Sequence, residues 1–259
     1  MSNTGVGDKI MSYDYLEAKK EILDILDSKI EIEETDTILS DDSFTFDNGI
    51  RTWVGAVFVD IVKSSSFFTN SQLSKNMIAR IIRSLVEQIV TIMNDNENHY
   101  EIGIRGDCVY GIFQANTKDK IVDMFRTSYC INTFLKMFNG ILSKKGLPKI
   151  YAGIGIGASQ DVVIKAGKKR ITHDKIWVGD AVINASNLSK IANRGYYDPI
   201  CMDYLTYYNI IDSLREENPN YDKWIRKTNS PKFKEYFYQC NIIQIDFNNW
   251  IDKEFGGRS

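Results

Sequence analysis

Apolar residues along this chain recur with two different periods. From residue 13 to residue 30, Leu16, Ile22, Leu23, Ile25 and Leu26 follow the spacing of one helix face, which predicts an amphipathic N-terminal helix. This helix could pack on the core or on a partner subunit. Similar spacing predicts further helices over residues 67–93, 119–142 and 181–194.

Between the helices lie short runs rich in β-branched and aromatic residues. They predict strands over residues 52–62, 99–105, 108–113, 149–159, 161–167, 175–180 and 198–203. Gly106 and Asp107 separate the second strand from the third, which predicts a β-hairpin. The two runs 149–159 and 161–167 are expected to be separate strands with a tight connection.

The order of these elements, β-α-β-β-α-β followed by extra elements, is that of an enlarged ferredoxin-like fold. We therefore predict an α+β fold with an antiparallel sheet and helices on one face. Residues 1–46 are predicted to form the N-terminal helix and an acidic linker. Residues 47–259 are predicted to form the main domain, with a C-terminal strand and helix extension.

Composition narrows the possible functions. The chain is 43% hydrophobic and 25% charged, and its net charge of −2 gives no basic field for nucleic acid. No apolar run reaches the ~20 residues of a membrane helix, and the N-terminus lacks a signal-peptide core. The four cysteines are scattered, as is typical of reduced thiols, so we expect a cytoplasmic protein.

Two aspartates stand where apolar strands end. Asp60 closes the run AVFV, and Asp107 lies in the predicted hairpin turn. Because the first strand of a ferredoxin-like sheet lies beside the hairpin, the two carboxylates can meet, and a shared proton or cation must then offset their repulsion. Carboxylate oxygens suit Mg²⁺ or Mn²⁺. Either aspartate alone is explained equally well as a turn residue or a helix cap.

The segment after Asp60 is a candidate phosphate site. Lys63, Ser64 and Ser65 lie where a strand end leads into a predicted helix, and such a junction presents free backbone N–H groups.

Four motifs, in order between about residues 51 and 202, resemble those of class III nucleotide cyclases. VFVDIVKSS and IRGDCVYGIF resemble the two metal motifs of that family. KIYAGIGIGASQDVVIKAG and IWVGDAVINASNLSKIA resemble its glycine-rich stretch and its active-site helix. Within the family, the chain looks most like the pyrimidine (uridylate or cytidylate) cyclases of Pycsar antiphage defence.

The resemblance implies a mechanism and a set of partners. Asp60, the Ile61 carbonyl and Asp107 would hold two divalent ions, and the backbone at Lys63–Ser65 would bind phosphate. The substrate would be a ribonucleoside triphosphate, closed to its 3′,5′-cyclic monophosphate with loss of pyrophosphate. Such cyclases are head-to-tail homodimers with shared sites. A separate effector protein would read the product.

The active-site helix departs from the family pattern of an Asn followed four residues later by an Arg. In one register these positions fall on Ile183 and Asn187, and in the next on Asn184 and Leu188. We therefore expect Asn184 and Asn187 in the catalytic set, without the family's arginine. The candidates to replace that arginine are Arg105, Lys165, Lys169 and Arg194.

The purine-reading positions depart as well. They fall on Gly103 and Ile176, neither of which offers a hydrogen-bonding side chain. A site that hydrogen-bonds its base discriminates strongly, so this change favours UTP or CTP, with UTP slightly preferred. The resemblance implies that Arg51 contacts the base, although an ordinary charge at a strand edge explains it equally well. Trp177 could pack on the base or ribose, and Arg105 is expected to bind the nucleotide. The alternatives are a conventional adenylate or guanylate cyclase and an inactive nucleotide-binding domain.

Overall fold

The structure is a computed structural model that describes residues 13–69, 72–168 and 171–256. The strands are β1 (Glu31–Glu34), β2 (Asn48–Ile61), β3 (His99–Arg105), β4 (Cys108–Gln114), β5 (Ala152–Lys168), β6 (Thr172–Val178), β7 (Ile200–Met202), β8 (Arg226–Ser230) and β9 (Phe233–Cys240). The helices are α1 (Tyr15–Asp27), α2 (Ser64–Phe68), α3 (Lys75–Asn94), α4 (Lys118–Lys144), α5 (Asp180–Ser189), α6 (Tyr204–Glu217), α7 (Tyr221–Trp224) and α8 (Ile245–Phe255).

One mixed sheet joins all of these strands, in the order β3-β4-β2-β5-β7-β9-β8, with β1 on β2 and β6 on β5. The α+β class and the order of the first elements are confirmed. The sheet is not purely antiparallel, however, because β1 pairs with β2 and β7 pairs with β5 in parallel. A parallel pair needs a crossover connection, and for β5 and β7 that connection contains β6 and α5.

The two faces of the sheet are covered by different helices. On one face, Val57, Val59 and Ile61 of β2 join the main core, to which α3, α4 and α6 contribute buried side chains. On the other face, Val54 and Ala56 pack against Ala181 and Ala185 of α5. The expectation of helices on one face therefore holds for the three long helices, whereas α5 covers the opposite face. The alternating side chains of β2 make both faces apolar.

Glycines of β5 allow α5 to lie directly on the sheet. A Cβ atom at Gly155 would stand 2.0 Å from the Ala185 carbonyl oxygen, and one at Gly157 would stand 2.3 Å from that of Ala181. Only glycine permits so close an approach. The intervening Ile154 and Ile156 face the main core. The GIGIG run is thus a contact surface for α5. The C-terminal end of α5 lies beside the end of β2, because Gly153, which pairs with Asp60, contacts Ser189.

Three local predictions need correction. Residues 152–168 form one continuous strand, because the central residues pair without a break against the long β2. The helix expected over 67–93 is divided into α2 and α3. Part of the expected acidic linker belongs to the fold, because β1 pairs with β2 and Phe44 is buried in the second core. The boundary between residues 46 and 47 remains a prediction.

The N-terminal helix is confirmed, with narrower bounds than expected. None of its residues is buried, and an ion pair joins its Glu21 to Lys168 at the end of β5. Across the described ranges, no helix is long and apolar enough to cross a membrane.

Candidate active site

Asp60 is the penultimate residue of β2, on the face of the sheet that α5 covers. Its strand neighbours across the ladder are Cys108 of β4 and Gly153 of β5. The side chain of Asp60 is 15% exposed, so most of its hydration shell is lost. A carboxylate in such a place needs a positive partner to remain charged.

Asp107 lies in the β3–β4 turn, one residue before Cys108. Directly opposed residues of an antiparallel pair have Cα atoms about 5 Å apart, so this turn stands beside the end of β2. Gly106 has φ +63°, which lets the hairpin turn tightly at this point. Burial raises the pKa of Asp60, Arg194 opposes that shift, and the negative charge of Asp107 adds to it. The structure therefore brings together the two aspartates that the sequence singled out.

Arg194 supplies the positive charge at Asp60. Its Nη2 donates to Asp60 Oδ2 at 2.5 Å and to the Ile61 carbonyl oxygen at 3.4 Å. The sequence placed Arg194 among four candidates for a missing arginine without a position for it. No sequence pattern could find this contact, because Arg194 follows α5 in a loop whose course depends on tertiary packing.

The oxygen donors at the end of β2 fit a hard divalent cation. A carboxylate, a backbone carbonyl and a second carboxylate are ligands that Mg²⁺ and Mn²⁺ accept, with substrate phosphates and water completing the shell. Arg194 shows that two of these oxygens already converge on one cationic group. Within the described residues, no cluster of three or more His, Cys, Asp and Glu side chains could hold a metal by itself.

The predicted phosphate segment lies directly after the aspartate. Lys63 has φ +56° and stands at the N-terminal boundary of α2, where Ser64 and Ser65 are the first helical residues. Lys63 and Ser65 are exposed, and Ser64 is half-buried. The short helix leaves these residues accessible at the edge of the site, but their role in phosphate binding stays a prediction.

The two asparagines of α5 differ in their surroundings. The Asn184 amide donates to Asp203 Oδ2 at 3.1 Å, and Asp203 caps α6. Asn184 therefore has a structural partner that its predicted catalytic role did not include. Asn187 and Ile183 are exposed on the outer side of α5. A contact of Asn187 with nucleotide stays a prediction.

A tyrosine fills the first purine-reading position. Any Cβ atom at Gly103 would lie 2.3 Å from the Tyr110 ring. That ring stacks on Phe58, with centroids 5.3 Å apart and planes at 18°, so it lies on the same sheet face as Asp60. A lysine at residue 103 could not coexist with this ring position.

A charged pair lies beside that tyrosine. Tyr110 donates to Glu101 Oε1 at 2.9 Å, and Lys175 Nζ stands 3.6 Å from Glu101 Oε2. Glu101 Oε2 is buried and accepts no hydrogen bond from the described residues. Lys175 donates to Asp41 at 2.6 Å. Burial lowers the pKa of Lys175, but Asp41 and Glu101 outweigh it and leave that pKa above its usual value. The sequence did not predict the cluster of Glu101, Tyr110 and Lys175. Glu101 and Tyr110 come from the paired strands β3 and β4, whereas Lys175 comes from β6, which pairs with β5, so tertiary packing brings it to Glu101.

The other predicted nucleotide contacts are dispersed. Arg51 is exposed and lies on the same strand as Asp60, on the opposite face of the sheet. At a rise of about 3.3 Å per residue, the two residues are about 30 Å apart. Within one chain, these two residues cannot contact the same nucleotide. Trp177 packs in the second core, edge-on to Tyr100 at 5.8 Å. Arg105 is exposed at the end of β3, where its hydrogen bond with Tyr110 raises the pKa of Arg105.

Two other candidates for the arginine's role are less informative. Lys165 donates to the Phe44 carbonyl oxygen at 3.2 Å, on β5 beside the N-terminal segment. Lys169 lies outside the described residues. Of the three candidates that lie within the described residues, Arg194 is the one bonded to Asp60.

Comparison with known proteins places this geometry in a family. The chain is 41% identical to a uridylate cyclase of Treponema porcinum over 251 residues, covering 94% of this chain and 82% of that protein. It is 29% identical to a uridylate cyclase of Gulbenkiania mobilis over 252 residues, covering 93% and 97%. The chain belongs to the nucleotide cyclase family. A search of family models found no match.

Solved structures agree with the family at the level of fold. The adenylyl cyclase CyaB from P. aeruginosa aligns with a TM-score of 0.56 over 73% of this chain and 94% of that chain, at 18% identity. At this identity the likeness shows the class III cyclase fold alone. The resemblance read from the four motifs is confirmed, and the chain is a nucleotide cyclase.

The reactivity of Cys108 tests the closeness of the two aspartates without any activity assay. Burial raises the pKa of Cys108 to about 12, and the charges of Asp60 and Asp107 add to the effect. We expect Cys108 to react slowly with iodoacetamide at pH 8, and several-fold faster in Asp107→Asn, because the thiolate is the reactive form. Peptide mass spectrometry measures both rates.

Cys130 is the internal control. Burial raises its pKa too, but neither Asp60 nor Asp107 contributes to that shift. Its rate should therefore be the same in both proteins. Equal alkylation of Cys108 before and after the substitution would contradict the placement of Asp107 beside it.

Proposed function

We propose that this protein is a uridylate cyclase, which converts UTP to cyclic UMP and pyrophosphate. The observation that supports the proposal is the pairing of Asp60 with Cys108, which brings Asp107 of the adjacent turn close to Asp60. The two relatives named uridylate cyclase support the choice of nucleotide.

The chemistry at this site is in-line displacement. The ribose 3′-oxygen attacks the α-phosphorus, the bond to pyrophosphate breaks, and the 3′-hydroxyl proton is lost. Asp60, Asp107 and the Ile61 carbonyl are proposed to hold two divalent ions, Mg²⁺ or Mn²⁺. Bound there, such ions supply charge stabilisation for the attacking and leaving oxygens. Lys63, Ser64 and Ser65, which are accessible after the end of β2, are proposed to orient the triphosphate.

Glu101 and Lys175 give a physical basis for recognition of uracil. The uracil edge presents one N–H donor between two carbonyl acceptors. Glu101 Oε2 is a buried acceptor that receives no hydrogen bond from the part of the chain that the structure describes, and Lys175 beside it is a cationic donor. A buried polar atom left unpaired is costly, so a base that supplies the matching donor is favoured. The Tyr110 ring meanwhile occupies the space above Gly103, where adenylate cyclases carry a lysine.

We further propose a homodimer with shared sites and a product read by a separate effector in antiphage defence. Support for the dimer comes from the outer side of α5, where Ile183 and Asn187 are exposed at the family's active-site positions. In a dimer, Arg51 could approach only a nucleotide held by the partner's aspartates. The defence role is supported by the resemblance to the Pycsar cyclases.

The direct test incubates the purified protein with each of the four ribonucleotides and Mn²⁺. We expect cyclic UMP as the main product by liquid chromatography and mass spectrometry. Asp60→Asn and Asp107→Asn should each lower turnover by at least about a hundredfold, because each removes a charge that the transition state requires. Asp119→Asn, which alters an exposed carboxylate on α4, serves as the matched control and should stay fully active.

Three outcomes would count against the proposal. Cyclic AMP or cyclic GMP as the main product would indicate a conventional purine cyclase. Bound nucleotide without any product would indicate an inactive nucleotide-binding domain. Retained turnover in either aspartate variant would remove the metal assignment.

Base recognition is tested by Glu101→Gln. The substitution removes the carboxylate charge and keeps the side-chain volume. We expect kcat/KM for UTP to fall about tenfold or more, since a hydrogen bond to a charged group contributes about 1.5–3 kcal/mol. Glu87→Gln, at an exposed position of α3, is the control. If both variants use UTP as well as the unaltered protein, Glu101 does not read the base.

A further inference from the structure

In the loop after α5, hydrogen bonds to the backbone fix the side chain of Arg194. Arg194 Nη1 donates to the Ser189 and Ala192 carbonyl oxygens at 2.8 and 2.9 Å, at the C-terminal end of α5. These carbonyls carry the negative end of the helix dipole and suit a cation. The guanidinium is therefore fixed on one side by the helix end while its other nitrogen contacts Asp60.

The backbone conformation around Arg194 directs its side chain toward the end of β2. Asn193 has φ +56° and Gly195 has φ +65°, so left-handed residues flank Arg194 on both sides. The Asn193 side chain donates to the Ala152 carbonyl oxygen at 3.0 Å, which ties the loop to the start of β5. Gly153 leaves room for the guanidinium, since a Cβ atom there would stand 2.9 Å from Nη1. Such an arrangement differs from a long surface side chain that meets a carboxylate by chance.

Arg194 also holds the same two oxygens that would bind a divalent ion. Asp60 Oδ2 and the Ile61 carbonyl oxygen both accept from its Nη2. One guanidinium nitrogen and one metal ion cannot occupy this position together. At the same time, the family's arginine position on α5 falls on Asn187 or Leu188, and both are uncharged. A planar guanidinium is well suited to phosphate oxygens.

We propose that Arg194 is a catalytic arginine of this enzyme with two alternative partners. In the nucleotide-free protein it neutralises Asp60 and competes with divalent ions for that carboxylate. When Asp60 and the Ile61 carbonyl bind an ion, Arg194 turns to the triphosphate, where it stabilises the charge that develops on the phosphates during cyclisation. The second partner rests on the proposed function, because that function supplies the triphosphate.

The test separates metal binding from turnover. Mn²⁺ binding to nucleotide-free protein is titrated by electron paramagnetic resonance for the unaltered protein, Arg194→Ala and Arg194→Lys. We expect Arg194→Ala to bind Mn²⁺ about tenfold more tightly, because the competing cation is gone. With UTP at saturating Mn²⁺, the same variant should lose at least about tenfold in kcat, because a phosphate-stabilising charge is missing.

Two further variants control the comparison. Arg194→Lys keeps a charge but loses the planar fork, so we expect intermediate Mn²⁺ affinity and partial recovery of kcat, which also keeps the test open if Arg194→Ala folds poorly. Arg226→Ala breaks the exposed ion pair with Asp198, at 2.7 Å, and should change neither quantity.

Each half of the proposal can be overturned separately. Unchanged or weaker Mn²⁺ binding in Arg194→Ala would show that the arginine does not compete for Asp60. A kcat within twofold of the unaltered protein would show that it does not act on the triphosphate. Absence of cyclic product from the unaltered protein would refute the proposed function instead, while the Mn²⁺ titration would still report on competition at Asp60.

Discussion

The charge of Asp60 at the end of a buried strand is the constraint on which the rest of the site depends. A largely buried carboxylate with a second one beside it loses hydration and meets repulsion, so a cation must stand against it. In the structure, Arg194 is that cation. The same need suits the divalent ions that we propose for this site. In that proposal, one carboxylate serves both the packing of the Arg194 loop and the chemistry.

The sheet makes this arrangement possible through close packing on one face. Glycines of β5 let α5 approach the backbone, and the end of α5 then lies where Arg194 can reach the end of β2. On the same face, stacked Phe58 and Tyr110 continue the surface from Asp60 toward Glu101. The proposed metal ligands, the helix end and the candidate base readers thus share one face, whereas the long helices α3, α4 and α6 pack against the other.

Sequence patterns predicted the parts of this site that depend on local signals. Apolar runs located β2 and β4, and the Gly106–Asp107 turn located the hairpin, so the aspartate pair followed from strand order alone. The cluster of Glu101, Tyr110 and Lys175 was not predictable, because it depends on the β3–β4 register and on the packing of β6, a strand paired with β5, against these two residues. The continuous β5 was missed because Gln160 and Asp161 look like a turn when their pairing with β2 is unknown. The base contact assigned to Arg51 followed from the resemblance. Arg51 and Asp60 lie near opposite ends of the same strand, β2, and are therefore about 30 Å apart.

The most direct test of the central claim is the electron paramagnetic resonance spectrum of Mn²⁺ bound with a UTP analogue that cannot cyclise. If Asp60 and Asp107 both bind the ions that contact the triphosphate, two Mn²⁺ per site should bind about 3.5–4 Å apart and give a spin-coupled spectrum. Asp107→Asn should abolish that coupling. A spectrum of isolated Mn²⁺ ions, or one that the substitution leaves unchanged, would contradict the account.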